Sequence, residues 1–378
     1  MNIEKARSYF PYLKNGKIYF NHASTGPLPV PVLQQIKKVL FEMSESNIDN
    51  YTRLLAVIKE TKQDLGGLIN TKPERIAFLD NTTNGINVLA QGIEWKKGDR
   101  VLLNDLEFPA NVYPFLNLQK DGVIIDFVKS QDGIVSAEDV IENIKPETRL
   151  VSISQVQFLT GYRANLEKIG NVCRDKGIIF SVDAIQGLGA VRLDVVKDKI
   201  DFLSSGTQKW MLGLQGMAFI YVSEKLQEMM IPSNVGWLSV EDAWNLLHYD
   251  LTLKKTADCF QGGTLNTIGI YALNASLKIF TEFGFDAIEQ KVIENSTYLI
   301  SKLEEINIKP ILSGVDKKNL AGIVSFKHDE SQKIFDALLK ENIQCAVREG
   351  MIRLSPHFHN TNEESDKIID ELKKLTSS

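Results

Sequence analysis

Ile178-Ile179-Phe180-Ser181-Val182-Asp183-Ala184-Ile185-Gln186, followed by Asp201-Phe202-Leu203-Ser204-Ser205-Gly206-Thr207-Gln208-Lys209-Trp210, decides the reading of this chain. Both stretches are short apolar runs of strand-like composition. Each leads to a reactive group: the carboxylate of Asp183, and the amine of Lys209 beyond a Ser/Gly/Thr turn. Continuous apolar runs of this length suit strands buried on both faces, as in a parallel sheet covered by helices. In such sheets ligands gather beyond the carboxyl ends of the strands, where Asp183 and Lys209 both fall.

Working outward, the same texture extends from about Thr71 to Val222. Strands are expected at Arg100–Asn104, Val123–Val128, Leu150–Ser154, Ile178–Val182, Phe202–Ser204 and Met217–Val222. Between them, Leu166 to Arg174 has helical spacing with Lys176-Gly177 as its stop signal. Alternation of strands and helices predicts an α/β fold built on a mostly parallel sheet. From about Leu273 the texture changes. Helical segments at Leu273–Phe283 and Asp286–Glu304 precede strand candidates at Gly322–Phe326, Ile343–Val347 and Met351–Leu354, and an amphipathic helix from Thr361 to Leu375. The division expected is a large domain over 15–258 and a smaller α+β domain over 259–378, completed by residues 1–14.

Composition narrows the function. At 378 residues the chain exceeds one typical core. A hydrophobic content of 43% with 24% charged residues is that of an ordinary globular protein. The formal charge of −5 (43 basic against 48 acidic side chains), with no long basic run, disfavours nucleic acid and anionic membranes as partners. Cys173, Cys259 and Cys345 stand far apart with no metal-ligand spacing, so no metal site is expected and they read as reduced thiols. Without a signal-like apolar start or a spanning run, a cytoplasmic location is expected.

An acid at one strand end and a lysine past the next suit a single cofactor chemistry. The lysine condenses with an aldehyde while the acid neutralises a protonated ring nitrogen, the pairing that pyridoxal 5'-phosphate (PLP) needs to act as an electron sink. Taken alone, Asp183 reads more often as a turn former or helix cap, and Lys209 as a solvated loop residue. Four further segments add weight. Asp80-Asn81-Thr82-Thr83-Asn84-Gly85 opens a helical run and offers hydroxyls and free N–H groups to a phosphate, or a plain helix cap. Glu107-Phe108-Pro109 puts an aromatic ring at a strand end, where it can stack on a flat ring or fill a core. Gln261-Gly262-Gly263-Thr264 permits close backbone approach to a ligand, or a flexible loop. Arg353, inside the apolar strand Met351–Leu354, needs an anion: a substrate carboxylate or a protein carboxylate.

Taken together and in this order, these segments resemble the class V aminotransferase family of fold type I PLP-dependent enzymes, whose relatives include cysteine desulfurases, selenocysteine lyases, kynureninase and isopenicillin N epimerase-like proteins. The similarity runs from Tyr19-Phe20-Asn21-His22-Ala23 to Asn360-Thr361 and is strongest at Val182-Asp183-Ala184-Ile185-Gln186, Gln208-Lys209-Trp210, Gly263-Thr264 and Ile352-Arg353-Leu354-Ser355-Pro356. The resemblance implies a large domain with a sheet of the seven-stranded type and PLP held in a Schiff base by Lys209. It pairs Asp183 with the pyridine nitrogen, sets Gln186 on the phenolic oxygen and places Phe108 against the ring. Thr82, Thr83 and Gln208 would hold the phosphate, and Thr264 would reach the phosphate of a neighbouring subunit, so a homodimer with shared sites is implied. Gln157 would lie near the ring and substrate, and Arg353 would clamp the carboxylate of an amino acid or related amine substrate.

Two residues beside these motifs carry further expectations. His22 is a candidate for the substrate mouth and equally for a structural turn. Trp237 is a candidate site cover or interface filler. As for the reaction, the place relatives give to a ring-stacking His is Phe108, and Cys345 lacks a glycine-rich mobile loop. Both departures favour transamination as the leading expectation, with a PLP lyase or epimerase, including desulfurase-like C–S cleavage, as the alternative.

Overall fold

The computed structural model describes residues 1–376. Its strands, in chain order, are β1 (Ile18–Tyr19), β2 (Ile76–Leu79), β3 (Arg100–Asn104), β4 (Ile124–Val128), β5 (Thr148–Ser154), β6 (Ile179–Asp183), β7 (Phe202–Gly206), β8 (Ala218–Val222), β9 (Val324–Lys327), β10 (Ile343–Gln344), β11 (Ala346–Arg348) and β12 (Met351–Leu354). Seven of them form the central sheet in the order β2-β8-β7-β6-β5-β3-β4. The expected α/β class and mostly parallel seven-stranded sheet are thus present. All its pairings are parallel except the two made by β8, which runs against both β7 and β2.

Sequence explains the local pieces. Asn165 caps the helix Leu166–Lys176 by accepting from the Lys168 N–H, and Gly177, at φ +68°, ends it and turns the chain into β6. Every residue of β6, β7 and β8 is buried. One sheet face packs on Leu166, Ile169 and Cys173 and on the helix Thr267–Phe283. The other carries Ile86, Leu89 and Ala90 of the helix Thr82–Gly92. That helix lies close because Gly85 faces the sheet, where a Cβ would stand 2.2 Å from Ser204 Oγ.

Three expectations on local structure need correction. β2 is an additional strand: only four residues long and preceded by Pro73, it lacks a usable period. The helix expected from Leu273 begins at Thr267, because Asn266 caps it through the Gly269 N–H. The single strand expected at Ile343–Val347 is two, broken at Cys345, because the chain changes partners there. β10 pairs in parallel with β1, while β11 pairs antiparallel with β12, which also pairs with β9.

The N-terminal chain therefore reaches well into the smaller sheets: Tyr19 pairs with Gln344, and Asn21 bridges to Ser355. Continuing from there, Gly26 donates its N–H to the Gln208 carbonyl at 2.8 Å, and a Cβ on Gly26 would stand 2.3 Å from the Lys209 carbonyl oxygen. Gly67, exposed in the helix Tyr51–Ile69, has nothing within 4 Å of such a Cβ. Chemical denaturation of the apoprotein should therefore show opposite signs for one substitution. Gly26→Ala should cost about 1–3 kcal/mol through overpacking, and Gly67→Ala should add about 0.5–1 kcal/mol of helix stability. A neutral Gly26→Ala would refute the close packing of the N-terminal segment on the lysine loop.

Candidate active site

The carboxyl ends of β2, β3, β5, β6 and β7 lie along one edge of the sheet, and a cavity of about 310 Å³ opens there. Lining it are Asn81, Thr82 and Thr83 after β2, Phe108 and Ala110 after β3, Phe158 after β5, Asp183, Ile185 and Gln186 at the end of β6, and Gln208 and Lys209 after β7. Ala23, Ser24, Arg348 and Arg353 close it from the smaller sheets. Lys209 Nζ stands 5.7 Å from the centre of the Phe108 ring, which meets Phe158 edge-on.

Asp183 is buried, and its carboxylate accepts the Ile185 N–H at 3.0 Å. Burial raises its proton affinity; that hydrogen bond and the nearby Lys209 oppose the shift, whereas Glu107 adds to it. Burial also lowers the Lys209 pKa. Asp183 pulls it back up, while Arg353 and Arg348 lower it further. A lysine held partly deprotonated is a competent nucleophile toward an aldehyde. Leu212, three residues on, is buried in the left-handed region at φ +55°, a conformation costing about 1–2 kcal/mol that marks the lysine loop as constrained.

At the other end of the cavity Asn81 caps the helix Thr82–Gly92 through the Asn84 N–H. The Thr82 and Thr83 N–H groups at its first turn are free to meet an anion. Thr82 Oγ1 accepts the Gly206 N–H at 2.9 Å, which leaves its own proton to donate. Gln186 bonds the Ala23 carbonyl and accepts from Trp210 Nε1 at 2.9 Å, with one amide proton left for a ligand.

Arg353 is buried with no carboxylate partner. It donates to the Phe158 carbonyl at 2.7 Å and to Ser24 Oγ at 2.8 Å, and its Nε has no partner at all. Burial and the neighbouring Arg348 bring the guanidinium down to about 10, so it stays charged at neutral pH and wants an anion. Of the two alternatives open in the sequence, the protein carboxylate is absent among the described residues.

Two residues expected in this cavity, His22 and Gln157, lie elsewhere. His22 is not at the mouth; it is fully buried, bonded to the Ser355 carbonyl and to His359 Nε2 at 3.1 Å, and burial keeps it neutral. Gln157 does not line the cavity; its amide donates to Glu107 and Asn104 in a buried cluster. Thr264 is exposed and outside its own chain's cavity. Trp237 is also outside it, edge-on to Trp244.

Two features were not singled out from the sequence. Ser24 receives both arginines. Glu107 carries a buried carboxylate with no cation, satisfied by Asn104, Asn111, Gln157 and both the N–H and hydroxyl of Ser154. That knot ties β3 to β5 one residue before Phe108, and its one sequence signal is an acid set between Leu106 and Phe108 just past a strand end. No group of metal-ligating side chains occurs among the described residues, and no described helix is long and apolar enough to cross a membrane.

A helix N-terminus for a phosphate, an amine for an aldehyde, a carboxylate for a ring nitrogen and an unpaired guanidinium for a carboxylate, all in one cavity, fit a PLP-dependent enzyme acting on an amino acid. The family model described as aminotransferase class-V matches residues 18–367. The chain belongs to that family, with the fold type I architecture and PLP as its cofactor. It is 28% identical to a probable cysteine desulfurase of Methanothermobacter thermautotrophicus over 99% of this chain and 98% of that one. It is 26% identical to the uncharacterized aminotransferase YcbU of Bacillus subtilis, covering 99% and 98% of the two chains. Among solved structures, the apo cysteine desulfurase of Thermococcus onnurineus superposes with a TM-score of 0.90 at 24% identity, over 99% of this chain and 98% of that chain. The cystine C–S lyase C-DES in complex with cysteine persulfide superposes with 0.89 at 24%, over 96% and 99%. At that identity the likeness speaks to fold.

Two measurements test this geometry. The rate at which apoprotein captures PLP should rise with pH with a midpoint below the ordinary lysine value of 10.5. Asp183→Asn should move the midpoint lower, because it removes the charge that stabilises the ammonium; an upward move would contradict the electrostatics. Glu107→Gln should cost about 2–3 kcal/mol in denaturant unfolding, since it turns one acceptor into a donor facing other donors.

Proposed function

We propose that this chain is a PLP-dependent C–S lyase of a cysteine-type amino acid, eliminating the sulfur substituent from Cβ and releasing it free. The observation that carries this reading is the absence, among the described residues, of any thiol in the cavity. Cys345 is buried beside β11, with its thiol pushed up to about 12, and Cys173 and Cys259 are buried on other elements. A persulfide carrier needs an accessible thiolate, which none of the three supplies. The relatives named as probable cysteine desulfurases support chemistry at the Cβ–S bond more than the transamination expected first.

PLP supplies, when bound, an electron sink for negative charge developing at the substrate Cα. Thr82, Thr83 and Gln208 would bind its phosphate, Asp183 its ring nitrogen, Gln186 its phenolic oxygen and Lys209 its aldehyde carbon. Arg353 would hold the substrate α-carboxylate with Ser24 beside it. The Lys209 Nζ amine would be the base that accepts the Cα proton. Across the whole reaction, the Cα proton would pass to Lys209 Nζ, the sulfur fragment would depart with the Cβ–S electron pair and take up a proton as a thiol, and uptake of water by the remaining three carbons would give pyruvate and ammonium. Phe108 offers no proton to the departing sulfur, so a leaving group stable as an anion is favoured. We further propose a homodimer in which Thr264, exposed on its own chain, completes the partner's phosphate site.

Incubating holoenzyme with S-substituted cysteines should yield pyruvate, ammonium and thiol in equal amounts, with Cys345→Ser unchanged in turnover and Lys209→Ala inactive. Sizing should return twice the 42.5 kDa chain mass. Alanine as the product would point to desulfuration, and conversion of the cofactor to its amine form without pyruvate to transamination; either would overturn the lyase reading.

A further inference from the structure

The cavity mouth carries more positive charge than an ordinary amino acid uses. Lys209, Arg348 and Arg353 line it, against Asp183 as the one acid among its lining residues. In the reading above Arg353 takes the α-carboxylate, and Arg348 is left over. Arg348 is exposed, ends β11 and precedes a tight turn in which Glu349 (φ +48°) and Gly350 (φ +73°) are both left-handed. It lies two residues from Ala346, the cross-strand partner of Arg353. Two-residue periodicity therefore sends both arginines off the same face of the β11–β12 hairpin, toward the cavity.

The two guanidinium groups converge on one hydroxyl. Ser24 Oγ accepts from Arg353 Nη2 at 2.8 Å and from Arg348 Nη2 at 3.4 Å. With its lone pairs so engaged, Ser24 has its proton free to donate to an anion. The other Arg348 bond runs from Nη1 to the neighbouring Val347 carbonyl, and neither arginine meets a carboxylate among the described residues. Like charges this close repel: Arg348 adds to the lowering that burial imposes on Arg353, and both arginines lower Lys209. Two anions relieve the arrangement better than one, and the second must reach the rim, beyond the α-carboxylate.

We propose that the cavity selects amino acids with a second carboxylate distal to Cβ, bound by Arg348 with Ser24 between the two cationic groups. This rests on the proposed chemistry only for turnover; the binding preference stands separately. The reaction is unchanged, and the second carboxylate departs with the sulfur fragment.

The test compares S-carboxymethyl-L-cysteine with its neutral isostere S-carbamoylmethyl-L-cysteine on the holoenzyme. Dissociation constants are read from the cofactor absorbance and kcat/KM from pyruvate release. Wild type should prefer the charged analogue about tenfold, the scale of one hydrogen-bonded charge partner. Arg348→Gln should bring the ratio close to one by weakening the charged analogue far more than the neutral one, and Arg348→Lys should keep part of the preference. Equal binding of the two analogues by wild type would overturn the proposal, as would an equal loss for both in Arg348→Gln or a cofactor spectrum that does not respond to the charged analogue. If neither analogue is cleaved but the charged one binds tighter, the lyase reading fails while the selectivity stands.

Discussion

Acidic and basic side chains placed where water does not reach them set the terms for everything else in this molecule. Asp183 sits at the end of a strand buried along its whole length, Glu107 is sealed between two strand ends, and Arg353 lies in an apolar strand. Each has a different answer. Glu107 is saturated by five donors from its own chain and so is finished as a structure. Asp183 has one backbone N–H and a nearby lysine, and Arg353 has a carbonyl and a hydroxyl. A buried charge left short of partners is costly unless something is to be bound there. The unfinished groups share one cavity, and the finished one lies behind it.

The chemistry follows from that difference. Burial disfavours the carboxylate form of Asp183, a deficit that a cationic ring nitrogen would offset, and Lys209, pushed toward its amine, is suited to attack a carbonyl carbon. Each is prepared for a partner that the polypeptide lacks. Phe108 and the three buried thiols contribute by what they are not: the aromatic wall carries no transferable proton, and no described sulfur lines the cavity to accept another.

Legibility in the sequence tracked how local the determining signal was. β6 and β7 are continuous apolar runs ending on Asp183 and the Lys209 turn, so the sheet and the central pair could be read from spacing. The helix Thr82–Gly92 announced itself by its polar cap. β2 was hidden because four residues carry no period, and the break at Cys345 was hidden because it reflects a change of pairing partner 325 residues away in sequence, between Ile18 and Ile343. His22 was misplaced for the same reason: a histidine beside Gly26 and Pro27 reads as a turn near a mouth, whereas Ser355 and His359, distant in sequence, draw it into the core. Arg348 was legible as a residue but not as a member of the cavity, because only the hairpin pairing reveals that it shares a face with Arg353.

The pairing of β1 with β10 also sets an order on the birth of the site. A nascent chain that has emerged as far as Val222 already holds Lys209, Asp183 and the helix that begins at Thr82. Its residues 18–26 are present too, made first, but the strand that receives them, Ile343–Gln344, is among the last to be synthesised. Until it appears, Ile18 and Tyr19 have no partner strand, and the cavity lacks Arg348 and Arg353 altogether. Closing so long a loop is slow and entropically expensive. A complete pocket therefore arises only after residues 343–355 have been made and docked, so Lys209, Asp183 and the helix at Thr82 precede in synthesis the two arginines that face them across the cavity.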